Sequence, residues 1–251
     1  MLFLAALQLL TVIPFSWQRR TDPEGWGGST AYFPLVGLVI GLILAGLNWL
    51  FSLILPQSIV NTFLIAFLAG ISGARHLNGF IHSCDGLASH KTIEERQRVV
   101  QDTRVGAFGI TGVVLLFLVK YIALSNLPGL IFMPLLVFMP VVSRWAMVYA
   151  IFTGVHAPPS APGAVLKRGT TWKRFTIATV ITFAIALVFI PLFQLTGLVI
   201  LFGVWLITVV MMLIIKNRFA GLSNAHYGAV NEVAEVSAII IAIVLAEMGF
   251  A

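Results

Sequence analysis

Charged residues in this chain are largely confined to alternate gaps between long apolar runs, and this pattern constrains the fold more than any other feature. The runs cover roughly 31–55, 57–74, 108–126, 130–152, 175–193, 197–215 and 235–250. A bilayer core of about 30 Å requires about 20 apolar residues in a helix. The sequence therefore predicts an all-α, polytopic integral membrane protein with about seven transmembrane helices.

The basic residues predict the orientation of these spans. All except Lys120 and Arg144 lie before the first run and in the segments 75–107, 153–174 and 216–234, whereas the intervening gaps contain no Lys or Arg. By the positive-inside rule, the N-terminus is cytoplasmic. Residues 1–14 are apolar but lack a basic leader, so we predict an interfacial helix there. We treat residues 1–251 as one transmembrane domain whose three basic segments form a cytoplasmic active site.

Composition agrees with a membrane protein. The chain is 59% hydrophobic and 10% charged, whereas soluble domains are about 25% charged. The net charge of +6 follows from the membrane orientation or serves to attract anionic substrates or lipid headgroups. We predict no nucleic-acid partner. The single cysteine, Cys84, excludes an intramolecular disulfide.

Segment 75–107 holds the densest group of residues suited to catalysis. Asn78, His82 and Asp85 are spaced i, i+4 and i+7, which places them on one face of a helix. The oxygen ligands Asn78 and Asp85 suit Mg²⁺, whereas His82 suits a transition metal better. The ordinary alternative is a solvated helix end.

A second group lies just before the third apolar run. Asp102 and Arg104 are followed by Gly106 and Gly109, where a helix is predicted to begin. A carboxylate and a guanidinium at a glycine-rich helix start could bind phosphate and metal.

Polar residues also occur inside or beside the apolar runs. Ser143 and Arg144 lie within the fourth run, where an arginine is costly unless it is paired or hydrated. Asn231 and Glu232 precede the seventh run. Lys120 lies near the outer end of the third run, and we expect it to extend to the membrane surface.

Several of these motifs resemble one enzyme family along most of the chain. They are TVIPF at 11–15, YFPLVGLVIG at 32–41, RHLNGFIHSCDG at 75–86, QDTRVGAFG at 101–109, SR at 143–144 and GLSNAHYGAVNEVAE at 221–235. The chain is similar to cobalamin synthases, the adenosylcobinamide-GDP ribazoletransferases. The blocks at 75–86 and 101–109 are the most specific part of the resemblance.

The resemblance implies a Mg²⁺-dependent transferase in the cytoplasmic membrane of a prokaryote. The hydroxyl of α-ribazole, or of its 5′-phosphate, would attack the cobinamide-linked phosphate of adenosylcobinamide-GDP and release GMP. Such a displacement requires that the substrates be positioned, that the charge of the phosphates be neutralised, and that a base accept the proton of the attacking hydroxyl. The resemblance is also compatible with three further kinds of partner: membrane lipids, a second copy of the chain and other enzymes of the cobalamin pathway.

The resemblance and the residue chemistry together give the expected site. We expect the catalytic residues to be His76, Asp85 and Asp102. Substrate-binding residues are expected to be Arg75, Arg104, Ser143, Arg144, Lys167 and Asn231. The expected metal ligands are Asn78, His82, Asp85, Asp102 and Glu232.

Three positions depart from the family pattern, which has aspartates where this chain has Asn78, His82 and Ala225. These losses of negative charge predict a weakened metal site and impaired activity. Three explanations stay open: an engineered inactive form, a natural divergent relative, or a re-tuned metal site in which His82 and His226 join Asp85.

Three other classes of protein also remain open. A CDP-alcohol phosphotransferase-like enzyme would need further aspartates, and DGLAS at 85–89 matches its pattern only in part. A transporter is disfavoured because no internal repeat is evident. A non-catalytic membrane protein that binds corrinoid is compatible with the lost carboxylates.

Overall fold

The computed structural model describes residues 1–14, 23–89, 92–154, 164–193, 195–219 and 221–250. Parts of the predicted segments 75–107 and 153–174 lie outside the described residues, at 90–91 and 155–163. The described helices are α1 (Leu2–Leu10), α2 (Pro23–Ser29), α3 (Phe33–Phe51), α4 (Gln57–Ile71), α5 (Arg75–Ala88), α6 (Ile93–Gln101), α7 (Ala107–Ser125), α8 (Gly129–Thr153), α9 (Ala164–Gly169), α10 (Trp172–Val188), α11 (Ile190–Phe193), α12 (Thr196–Arg218) and α13 (Asn224–Glu247). A 3₁₀ turn, Thr30–Tyr32, joins α2 to α3.

The prediction of an all-α, polytopic membrane protein is confirmed. Five helical stretches are long and apolar enough to cross a membrane, namely Trp26–Phe51, Ala107–Ser125, Gly129–Thr153, Thr196–Arg218 and Asn224–Glu247. A sixth is added if α4 and α5 count as one bent span. Helix α10, with 17 residues, is shorter than these five. The count of seven and the cytoplasmic N-terminus stay predictions.

A sharp bend separates α4 from α5. The two helices meet at 88°, and the break is made by Gly73 and Ala74, which both have positive φ angles. Gly73 adopts the left-handed region readily, whereas the same conformation at Ala74 is uncommon for a residue with a Cβ. The bend turns α5 out of the direction of α4, and α5 packs against α13 and α7.

The start of the last span is a correction to the sequence prediction. We expected segment 216–234 to be a polar loop and the span to begin at residue 235, but α13 already begins at Asn224. Most residues in the first half of α13, including Asn231 and Glu232, are buried. Hydropathy missed this half because its polar side chains are paired inside the bundle.

Helix α8 lies at the centre of the bundle and packs most extensively against α3. Gly37 and Gly41 face the backbone of α8 at Pro140 and Val137, and a Cβ at either glycine would clash with a carbonyl oxygen there. Small residues at such crossings allow close backbone approach in membranes. This rigid pair supports α13, which packs on the same central helix.

Candidate active site

A cavity of about 780 Å³ opens between the end of α1, helix α5, the end of α6 and the start of α13. Its polar lining consists of Arg75, His76, Asn78, His82, Gln101, Asp102, Thr103 and Asn224. Apolar side chains, including Phe33, Met147 and Leu166, complete the wall. Segment 75–107 and the start of α13 are far apart in sequence, and the fold brings them to one site.

Two glycines allow α5 and α13 to form this site. A Cβ at Gly79 would lie 2.5 Å from the carbonyl oxygen of Ala225, and a Cβ at Gly228 would lie 2.7 Å from that of His76. Real Cβ atoms essentially never approach another heavy atom so closely. Because neither glycine carries a side chain, the two backbones are in direct contact beside the cavity.

His82 lines this cavity and has one buried ring nitrogen without a partner among the described residues. The residue is buried, with 6% of its surface exposed, and it lines the cavity. Among the described residues, nothing accepts from or donates to its Nδ1. A buried polar atom without a partner costs free energy.

Asp85 does not line the cavity, because its carboxylate caps α7. The backbone N–H of Gly106 donates to Oδ2 at 2.8 Å, and that of Gly109 donates to Oδ1 at 2.7 Å. A Cβ at either glycine would meet this carboxylate, so both must be small. We expected Asp102 to serve the glycine-rich helix start, but Asp85 is the carboxylate that does so.

Asp102 and Arg104 instead pair with each other at the surface. Arg104 Nη2 lies 2.8 Å from Asp102 Oδ2, and 88% of the arginine side chain is exposed. This hydrogen bond from Arg104 lowers the pKa of Asp102 to about 2. Asp102 lines the cavity, whereas Arg104 does not.

Arg75 joins the cavity wall to the end of α1. Its guanidinium donates to the carbonyl oxygens of Ser72, Leu9 and Thr11 at 3.0, 2.9 and 2.8 Å. These bonds fix the bend that precedes α5. The guanidinium therefore has a positioning role besides lining the cavity.

A buried ion network crosses the bundle among α7, α8 and α13. Lys120 Nζ lies 2.6 Å from both Glu232 Oε2 and Glu235 Oε2, and Arg144 Nη1 lies 2.5 Å from Glu235 Oε1. Asn231 Nδ2 also donates to Glu235 Oε1 at 3.1 Å. Two cations and two carboxylates neutralise each other, as charges inside a membrane must.

Lys120 contradicts our expectation that it reaches the membrane surface, since only 3% of it is exposed. The pull of the two carboxylates outweighs the cost of burying the ammonium in that position. Glu235, which we did not assign to the site, holds both cations of the network. A lysine in one apolar span and two glutamates in another were the sequence signal for this pairing.

Four predicted site residues belong to this network rather than to the cavity lining. Arg144 Nη1 donates to Ser143 Oγ at 2.9 Å. Asn231 donates to Glu235, and Glu232 accepts from Lys120. Arg144 Nε and Nη2 and Asn231 Oδ1 have no partner in the described part of the chain, and buried water could supply one. The network lies within electrostatic range of the cavity residue His76.

Lys167 also lies outside the lining of the cavity. It donates to the carbonyl oxygen of Phe152, and Nζ lies 5.8 Å from the centre of the Phe152 ring. Partial burial lowers its pKa. These contacts hold α9 against the end of α8.

The residues at the cavity do not fit a resident magnesium ion. Asp102 is the single carboxylate among the described lining residues, and it is paired with Arg104. Within the described ranges, no three His, Cys, Asp or Glu side chains are grouped to hold a metal ion. The re-tuned site is not formed either, because Asp85 caps α7 and His226 Nδ1 accepts from the N–H of Ser223.

The family is shown by comparison with known proteins. The family model described as cobalamin-5-phosphate synthase matches residues 2–243. The chain belongs to the cobalamin-5-phosphate synthase family. No solved structure matches the chain.

Three relatives of the chain share one name. The adenosylcobinamide-GDP ribazoletransferase of Geotalea daltonii is 38% identical over 181 residues, which cover 72% of this chain and 73% of the relative. Those of Roseiflexus sp. and Thermoanaerobacter pseudethanolicus are 30% and 28% identical, and the matches cover 93% and 94% of this chain and 86% and 94% of the relatives.

The three positions at which the resemblance led us to expect aspartates lie at one place. Asn78, His82 and Ala225 all line the cavity, although they come from two helices far apart in sequence. None of these three side chains is a carboxylate, so this part of the cavity wall carries no negative charge.

Proposed function

We propose that this chain is an adenosylcobinamide-GDP ribazoletransferase of the cytoplasmic membrane of a prokaryote, and that the cavity beside α5 and α13 is its active site. The proposed reaction is inferred from membership of the cobalamin-5-phosphate synthase family. The assignment of the active site to this cavity is supported by five predicted site residues that line it, namely Arg75, His76, Asn78, His82 and Asp102.

The cavity suits the reacting part of these substrates. Its volume of about 780 Å³ is within the range of drug-sized ligand sites, whereas a corrinoid joined to a nucleotide is much larger. The phosphates and the ribazole would enter the cavity, and the corrinoid would stay at the membrane surface. Arg75 supplies positive charge toward the phosphates.

His82 is the proposed base for the attacking ribazole hydroxyl. Its side chain lines the cavity that would hold this hydroxyl, and imidazole is the side chain that most often acts as a general base. The proton moves from the hydroxyl to His82 as the oxygen attacks the cobinamide-linked phosphate, and GMP leaves. The magnesium requirement stays a prediction, and no step here depends on it.

Release of GMP by the purified protein tests this proposal. The protein in detergent is supplied with adenosylcobinamide-GDP and α-ribazole 5′-phosphate, with and without Mg²⁺. We expect GMP and cobalamin 5′-phosphate in equal amounts, and no GMP when the ribazole is omitted. A triple variant, Asn78→Asp, His82→Asp and Ala225→Asp, shows whether the lost carboxylates limit the rate, and its Asp at position 82 can take the place of the proposed base His82. Folded protein that releases no GMP in either form would overturn the proposal.

A corrinoid-binding protein without turnover is the second candidate function. The single carboxylate of the cavity favours it, because phosphoryl transfer normally relies on metal-bound carboxylates. It predicts that adenosylcobinamide-GDP binds to the wild-type chain while GMP is released only by the triple variant.

A further inference from the structure

A second pocket, of about 440 Å³, lies at the opposite end of α5 from the bend. The end of α5, helix α6, the start of α7 and the end of α12 form its walls. None of its lining residues lines the larger cavity. It is therefore separate from the cavity that we propose for the transferase reaction.

One side of this pocket is basic. Arg96 on α6 and Arg218 in the last turn of α12 line it together with Ser89, just after α5. The hydroxyl Oγ of Ser89 is buried and has no partner among the described residues. None of the described lining residues is acidic. Two guanidinium groups and a hydroxyl are the donors that bind a phosphate.

The other side of the pocket is apolar and continuous with the membrane-facing surface. Phe108 in the first turn of α7 is 64% exposed, and Ile214 on α12 is 45% exposed. Both helices are candidate spans that bury only 28% of their apolar window within the protein. Because α7 begins and α12 ends beside the pocket, it lies where a span meets the aqueous phase.

We propose that this pocket binds the headgroup of an anionic phospholipid. Arg96 and Arg218 hold the phosphodiester, Ser89 donates a hydrogen bond to it, and the acyl chains lie along Phe108 and Ile214. Basic pockets between spans at the membrane surface bind such headgroups. A soluble phosphate would leave the apolar side exposed to water, and so the lipid is the better fit.

A bound lipid would also stabilise the arrangement of α5. It bridges α6 and the end of α5 to α12, and α5 carries the cavity residues Asn78 and His82. The lipid site does not depend on the proposed transferase activity, because binding is measured without substrate.

Lipid binding to the purified full chain tests this proposal. Native mass spectrometry and thermal unfolding are measured in detergent with added phosphatidylglycerol or phosphatidylcholine. We expect tighter binding of phosphatidylglycerol, accompanied by a rise in Tm. The double variant Arg96→Gln, Arg218→Gln should weaken that binding about 30-fold, since each basic residue near an anionic surface contributes about 1 kcal/mol.

A matched control separates the pocket from general surface charge. The variant Arg98→Gln, Lys216→Gln removes two exposed cations from the same helices, and neither residue lines the pocket. We expect it to bind phosphatidylglycerol nearly as the wild type does. An equal loss in both variants, or equal binding of the two lipids, overturns the proposal. Stabilisation by glycerol 3-phosphate as strong as that by the lipid would identify a soluble phosphate ligand and would also overturn it.

The single variant Arg218→Gln tests whether weaker lipid binding could come from a folding defect. Arg218 is exposed at a helix end, so this change leaves the bundle intact. We expect an unchanged Tm without lipid and a smaller Tm rise with phosphatidylglycerol. A rise equal to that of the wild type would contradict the assignment of Arg218 to the site.

Discussion

The cavity and the buried ion network both place polar side chains in an apolar protein, but they satisfy them in different ways. In the network, Lys120 and Arg144 face Glu232 and Glu235, so the charges cancel among themselves. In the cavity, Nδ1 of His82 is left without a partner in the described residues. Arg144 Nε and Nη2 and Asn231 Oδ1 of the network also lack partners among the described residues. The difference is therefore that the network neutralises its own charges, whereas the cavity leaves space beside its polar residues for a ligand.

The largest expected effect comes from breaking the network at its centre. Glu235→Gln leaves two buried cations short of a carboxylate, and loss of one partner from a buried pair costs about 3–5 kcal/mol. We expect a large fall in Tm or in the yield of folded protein. Glu247→Gln, at the exposed end of the same helix, is the matched control and should have little effect. Equal stability of the two variants would show that the network does not support the fold.

The contact between α5 and α13 should be nearly as sensitive. Gly79→Ala forces a Cβ against the carbonyl oxygen of Ala225, 2.5 Å away, and overpacking of this kind costs about 1–3 kcal/mol. We expect a lower Tm, because the two backbones must move apart. Gly46→Ala on α3 meets nothing within 4 Å and should not lower the Tm. A Gly79→Ala variant as stable as Gly46→Ala would mean that the helices separate without cost.

Removal of the α7 cap should have a moderate effect. Asp85→Ala frees the N–H groups of Gly106 and Gly109, and loss of a capping side chain costs about 0.5–2 kcal/mol. Asp85→Asn keeps one acceptor oxygen and should lose less stability. Thermal unfolding of the two variants in detergent measures the difference. If Asp85→Ala abolished turnover with an unchanged Tm, the carboxylate would be a catalytic group, as the sequence predicted.

Much of the fold follows from the sequence, because burial in a bilayer requires long apolar helices. The predicted runs 108–126 and 130–152 agree with α7 and α8 to within a residue at each end. The helical face shared by Asn78 and His82 is also present on α5, and both residues line the cavity. The spacing of residues was sufficient to predict these features, because each feature depends on residues of a single helix.

The features that the sequence analysis missed depend on pairing between helices, and the spacing of residues within one helix gives no information about such pairing. Lys120 was expected at the surface, but it is held inside by carboxylates more than a hundred positions later in the chain. The beginning of α13 was missed for the same reason. Asp85 was assigned to metal, since nothing in its spacing shows that Gly106 and Gly109 would reach it.

The smallest expected effect concerns the exposed pair at the cavity rim. The folded-state pKa of Asp102 is lowered to about 2, so the stability it contributes is complete above its unfolded pKa of about 4 and is lost as the pH falls toward 2. We expect the Tm difference between the wild type and Asp102→Asn to be small and constant from pH 7 to pH 5. A difference that shrinks within this window would mean that Arg104 does not hold the carboxylate.

The most direct test of the account measures GMP release and thermal stability together in cavity variants. Asn78→Ala and His82→Gln change side chains at the cavity without touching the ion network. We predict that kcat/KM falls about 100-fold or more in His82→Gln, within the range for loss of a general base, and falls less in Asn78→Ala, while Tm changes little in either. Unchanged turnover in both variants, with folded protein and active wild type, would contradict the claim that this cavity is the active site.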